Sequence, residues 1–143
     1  MRRVAKCVCA AMVTCLLSAG CSDSPAQPTT GVSGPWRGTI TRGAMAGTIA
    51  LQLAQSGSGV TGSWSADFEA TTFDQAGTVG GTMTASTVSL FLRPASPVVC
   101  DSGATLSGTL TMNGSLTGDR LTGDYVALTC DAIATGRIDV RKE

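Results

Sequence analysis

The chain of 143 residues has no histidine, six aromatic residues and only 14% charged side chains. Without imidazole, histidine acid–base catalysis and histidine ligation of metal or haem are excluded. Ten Lys+Arg balance ten Asp+Glu. With no basic cluster in the body of the chain and so few rings to stack on bases, a nucleic-acid partner is not expected. Serine nucleophiles lack a base partner, and the body carries one lysine, Lys142, near the terminus. No carboxylate pair has the cleft setting that hydrolysis needs. The expectation is a protein that is not an enzyme and uses no cofactor, in a chain long enough for one domain.

The first residues are rich in what the body lacks. Arg2, Arg3 and Lys6 precede an apolar run from Cys7 to Leu17, and Ser18-Ala19-Gly20 follow. A basic start, a short apolar stretch and a small-residue cleavage site describe an export signal over 1–20. The apolar run is too short for a membrane-spanning helix, which takes about 20 residues. Leu16-Leu17-Ser18-Ala19-Gly20-Cys21 resembles the lipobox of bacterial lipoproteins, although Ser18 stands where a large aliphatic is commoner. That resemblance implies cleavage before Cys21, diacylglycerol on its sulfur and acylation of the new amine, which together make a stable anchor. Ser22, in place of an aspartate, is similar to the outer-membrane sorting preference. The implied location is the cell envelope, lipid-anchored in the outer membrane and facing the periplasm or the cell surface.

Cleavage changes the accounts. Seven Lys+Arg would remain against ten Asp+Glu. Cys7, Cys9 and Cys15 would leave with the signal, and Cys21 would carry lipid. Cys100 and Cys130 remain, and two cysteines in an exported domain are expected to form a disulfide. Residues 21–34 contain Pro25 and Pro28 among Ser, Thr and Gly, with no apolar period. They read as the lipidated end and a flexible tether, spanning roughly 20 Å. The folded domain is then expected over 35–143.

Within that domain the dominant signal has period two. Ile49, Leu51 and Leu53 alternate with polar or small residues, as do Val60, Trp64, Ala66 and Phe68, then Val88, Leu90 and Leu92, then Leu121, Tyr125 and Ala127. Apolar residues on one face and Thr or Ser on the other are the mark of half-buried antiparallel strands. Eight strands are predicted, at 36–42, 46–55, 59–69, 76–84, 86–93, 104–112, 119–129 and 132–142. Ser56-Gly57-Ser58-Gly59, Asn113-Gly114 and Gly118-Asp119 supply turn signals. Short connections and single apolar faces favour an all-β, eight-stranded antiparallel up-and-down β-barrel, with a two-sheet β-sandwich as the alternative. A transmembrane barrel is disfavoured by hydroxyl-rich outer faces without aromatic girdles.

Two segments repeat 61 residues apart. Gly47-Thr48-Ile49 and Val60-Thr61-Gly62-Ser63-Trp64 return as Gly108-Thr109-Leu110 and Leu121-Thr122-Gly123-Asp124-Tyr125. Each copy puts one ring on the inward face two residues after a glycine. Gly34-Pro35-Trp36 is similar to the Gly-x-Trp that opens lipocalin-type barrels, and Val60–Trp64 resembles a strand of avidin-type barrels, both within the calycin group. The resemblance implies a small up-and-down barrel whose first-strand Trp36 is covered by an arginine of the last strand, with Arg137 favoured over Arg141. The avidins' biotin site uses several tryptophans, so with only Trp36 and Trp64 biotin is not expected here.

Trp64, Phe68, Leu90, Leu110 and Tyr125 are the inward residues best placed to line a cavity, and inward glycines and alanines free volume for a small apolar ligand. A filled core is the competing expectation. Asp101 and Asp131 each follow a cysteine; solvated loop charges are expected there, with a weak calcium site as the sharper alternative. The functional expectations are therefore a lipid-anchored carrier of a small apolar ligand, a module that binds or inhibits an exported protein through loops 69–75 or 94–103, or an envelope component without a discrete site.

Overall fold

The computed structural model describes residues 31–68, 75–130 and 132–143. The expected signal 1–20, the lipidation site Cys21, residues 22–30 of the tether, residues 69–74 of one loop and Asp131 lie outside the described residues. Among the described residues the regular elements are all strands: β1 (Gly34–Arg42), β2 (Met45–Ser56), β3 (Gly59–Phe68), β4 (Gln75–Thr84), β5 (Thr87–Pro94), β6 (Val98–Val99), β7 (Thr105–Leu106), β8 (Leu110–Thr117), β9 (Arg120–Leu128) and β10 (Ile133–Lys142). Eight of them close a barrel in the order β1-β10-β9-β8-β5-β4-β3-β2, while β6 and β7 form a separate small hairpin. Each barrel strand pairs antiparallel with its successor. The seam closes from Trp36↔Lys142 to Arg42↔Gly136. The fold is an eight-stranded antiparallel up-and-down barrel.

The alternation decides which side chains go inside. Ile40, Ile49, Leu90, Leu92, Met112 and Ile138 are fully buried, and no polar or charged residue is buried among the described residues. The outer faces carry Thr39, Thr48, Thr61, Ser63, Thr78, Ser89 and Thr111. An apolar interior inside a hydroxyl-rich wall is the inverse of an outer-membrane channel.

One strand differs from its sequence prediction. Residues 104–112 were expected to form a strand ending at Asn113-Gly114, whereas β8 begins at Leu110 and runs through that dipeptide to Thr117. The inward row Leu110, Met112, Gly114 continues to Leu116, which is buried. Burial of Leu116 outweighs the local turn preference, and the chain reverses instead at Gly118, where φ is +61°. Gly108, at φ +63°, takes the chain out of the small hairpin and into β8.

Two rings span the narrow interior in the same way. Trp64 on β3 lies opposite Gly77 on β4, and its Nε1 donates to the Arg93 carbonyl on β5 at 3.3 Å. Tyr125 on β9 lies opposite Gly136 on β10, and its hydroxyl donates to the Thr41 carbonyl on β1 at 2.9 Å. In each case a ring passes over a glycine to reach the backbone one strand further on. A methyl at Gly77 or Gly136 would overlap the very carbonyl that accepts the bond. The 61-residue repeat thus has a physical meaning at Trp64 and Tyr125. It has none at Gly47 and Gly108, since only Gly47 lies in a barrel strand.

Gly136→Ala is expected to lower the unfolding free energy by about 3 kcal/mol, the upper part of the overpacking range. Gly80→Ala, where an added methyl meets nothing within 4 Å, should be neutral or stabilising by about 0.5 kcal/mol. Urea unfolding followed by far-ultraviolet circular dichroism measures both.

Candidate functional site: a cup at the open end of the barrel

The two ends of the barrel are built differently. Two-residue turns close one end, at Gly57-Ser58, Ala85-Ser86 and Gly118-Asp119. Val32, in the stretch read from sequence as the end of the tether, is fully buried there. Its carbonyl accepts the Trp36 indole N–H at 2.7 Å, and its amide donates to Gln55 Oε1 at 3.0 Å. The C-terminus lies at the same end, where the Glu143 amide donates to the Pro35 carbonyl at 3.0 Å.

The cation over Trp36 is Lys142, with Nζ 5.7 Å from the ring centroid, and not Arg137 or Arg141. Arg137 lies opposite Thr41, far from Trp36 in the register. It points outward to Asp124, 3.2 Å away. Arg141 also faces outward, 3.9 Å from Asp119. The parity of β10 explains the difference. Ile138 and Val140 are buried, so even positions face inward and Lys142 continues their row. That signal was present in the sequence.

The other end is a cup of about 450 Å³. Phe68, Leu110, Tyr125, Ala127 and Ala134 form its apolar wall, and Arg42, Gln75, Asp101, Ser102 and Thr129 bring polar groups to it. Val98 and Val99 of the small hairpin, together with the disulfide between Cys100 and Cys130, complete the lining. Of the five residues expected to line a cavity, Phe68, Leu110 and Tyr125 do so; Trp64 and Leu90 are buried in the barrel but not among the cup's lining. Trp64 and Leu90 belong to the packed apolar core deeper in the barrel.

Sequence reasoning missed Val98 and Val99 because the hairpin carries no barrel periodicity. Arg42 was legible by parity, as the continuation of Trp36 and Ile40. Asp101 lines the cup; its suggested calcium partner Asp131 lies outside the described residues. Among the described residues no group of three or more His, Cys, Asp or Glu side chains is assembled to hold a metal ion.

Of the six exposed large hydrophobic residues among the described residues, four ring this end: Met45, Val99, Leu128 and Ile133, with Val99 70% exposed. Inside the cup, burial pushes the Tyr125 phenol above its ordinary pKa, and the positive charge of Arg42 pulls partly the other way. The hydroxyl's bond to the Thr41 carbonyl uses its proton, so what Tyr125 offers a guest is chiefly its ring. A wall of aromatic and aliphatic side chains with about as much polar surface beside it suits a compact body that has both an apolar part and hydrogen-bonding groups. Comparison of the chain with protein-family models, with curated proteins and with solved structures finds no match.

Tyr125 is the sole tyrosine, so tyrosinate absorbance reads it alone. Its folded pKa is raised, so its stabilising contribution is complete below the unfolded value of about 10 and is lost as pH rises through the folded value. Tyr125→Phe should flatten this alkaline loss of stability. Arg42→Gln should move the phenol titration higher still. An unchanged titration in that variant would mean that the Arg42 charge does not act on the phenol.

Proposed function

We propose that the chain is an exported lipoprotein, acylated at Cys21, whose barrel holds a small, mainly apolar ligand in the cup. The observation that carries this reading is the cup itself. Deeper in the barrel apolar side chains pack together, while the cup encloses about 450 Å³ lined by aromatic, aliphatic and polar side chains. That volume lies within the range of small-molecule sites, roughly 300–1,000 Å³. The chemistry proposed for the cup is recognition.

The position of the chain's entry supports an orientation. The chain enters at the closed end through Val32, so the cup lies at the far end from Cys21. About ten residues separate Cys21 from Gly31, and a flexible tether of that length spans roughly 18 Å. The barrel stands roughly 25–30 Å tall for tilted strands of this length. Anchored in this way, the cup faces away from its own membrane and loads from the aqueous space. The exposed Met45, Val99, Leu128 and Ile133 favour a second reading, in which an exported protein docks on the same rim.

Native mass spectrometry of gently extracted protein tests the first reading. A bound small molecule is expected in the wild type and should be lost in Ala127→Phe, which fills the cup; an empty wild type that retains a protein partner would favour the docking reading. Metabolic acyl labelling should be present in the wild type and absent in Cys21→Ala; equal labelling of the two would remove the anchor.

A further inference from the structure

We propose that the Cys100–Cys130 disulfide is a redox latch on the cup: formed, it holds the small hairpin across the mouth and retains the ligand; reduced, it lets the hairpin swing away while the barrel stays closed. The proposal rests on the cup being the ligand site.

The construction of the hairpin supports it. Residues 95–109 leave the barrel after β5 and return at β8. The β6–β7 ladder has two register pairs, Val98↔Leu106 and Val99↔Thr105. Among the described residues the backbone bonds of its tip are internal, Cys100 N–H to the Ala104 carbonyl at 2.9 Å and Gly103 N–H to the Cys100 carbonyl at 2.8 Å. At its base, the Ala95 amide donates to the Ala76 carbonyl at 2.8 Å. Among the described residues the disulfide joins the tip to the opposite rim, in the β9–β10 turn. That turn is held independently, by the Thr129 amide and hydroxyl bonding to the Ala132 carbonyl at 2.9 and 2.7 Å.

The cut therefore falls between two locally held pieces. None of the eight seams of the barrel passes through the disulfide. Val98, Val99, Asp101 and Ser102 line the cup from the hairpin side and Leu128 and Thr129 from the other, so release of the tip removes one wall.

The two cysteines differ in exposure. Cys100 is 8% exposed, whereas Cys130 is exposed. A dithiol reductant would attack at Cys130: its thiolate forms a mixed disulfide with the Cys130 sulfur, and the Cys100 sulfur leaves as thiolate and takes a proton. The second thiolate of the reductant then displaces the Cys130 sulfur, which is protonated in turn. Two electrons pass to the protein, and the reductant ends as a disulfide.

The full chain, purified oxidised and then treated with dithiothreitol, gives the test, with anilinonaphthalene sulfonate as the apolar probe. Reduction should speed probe release about tenfold, as expected when a change acts on the dissociation step, with the far-ultraviolet strand signal retained. A Cys100→Ser/Cys130→Ser double variant should release probe at the reduced rate whether or not dithiothreitol is added. Without any probe, the Tyr125 titration should fall toward the ordinary tyrosine value on reduction as the wall opens. If the probe binds and leaves at the same rate in both states, the latch is overturned and the binding reading stands. If reduction abolishes the strand signal, the disulfide is a structural staple, which also overturns the latch. Absence of probe binding in the oxidised protein overturns both readings.

Discussion

A barrel of eight strands has an interior barely wider than one large side chain, and the way the chain admits rings into it governs the rest of the structure. Trp64 and Tyr125 enter by lying over Gly77 and Gly136, and each spends its polar atom on a carbonyl one strand further on. The rings thereby brace three consecutive strands across the two halves of the barrel. No donor is left unpaired on these rings, which matters because a buried, unsatisfied polar group costs about 1–3 kcal/mol. The glycines are required by the approach of backbone to backbone, since a methyl would occupy the place of the accepting carbonyl.

The two ends of the barrel use the remaining material differently. One end is closed by tight turns, by Val32 folded beneath Trp36, and by Lys142 laid over the indole. The other receives a longer excursion between β5 and β8, which does not enter the barrel ladder. Its walls meet through a covalent bond in place of a hydrogen-bonded seam. A filled, rigid body with one loosely built end is a common way to place recognition on a stable scaffold. The exposed ion pairs of the outer wall, such as Arg137 with Asp124 and Arg37 with Glu143, add little to stability in water but keep charge out of the interior.

Much of this was legible in the residues. Alternation located seven of the eight barrel strands to within about two residues of their ends, and Cys100 and Cys130, the pair expected from the sequence, are the pair that bonds. Errors arose where a local rule competed with burial. Asn113-Gly114 is a strong turn signal, yet Leu116 beyond it is apolar and on the inward parity, and the strand extends to bury it. The calycin resemblance implies an arginine over Trp36, while the inward row of β10 leads to Lys142. Val32 stands in a stretch of Thr, Gly and Ser without periodicity, and a single buried residue there leaves no pattern to detect.

The residues alone determined the strand rhythm, the face each strand turns inward and hence the apolar interior, because side-chain direction in an extended chain is a property of position parity. Only the tertiary structure decided which end is plugged and which stays open. That depends on which strands become neighbours, on where a connection leaves the ladder, and on how much volume the side chains brought together fail to fill. These are relations among residues far apart in the chain, and no local pattern carries them.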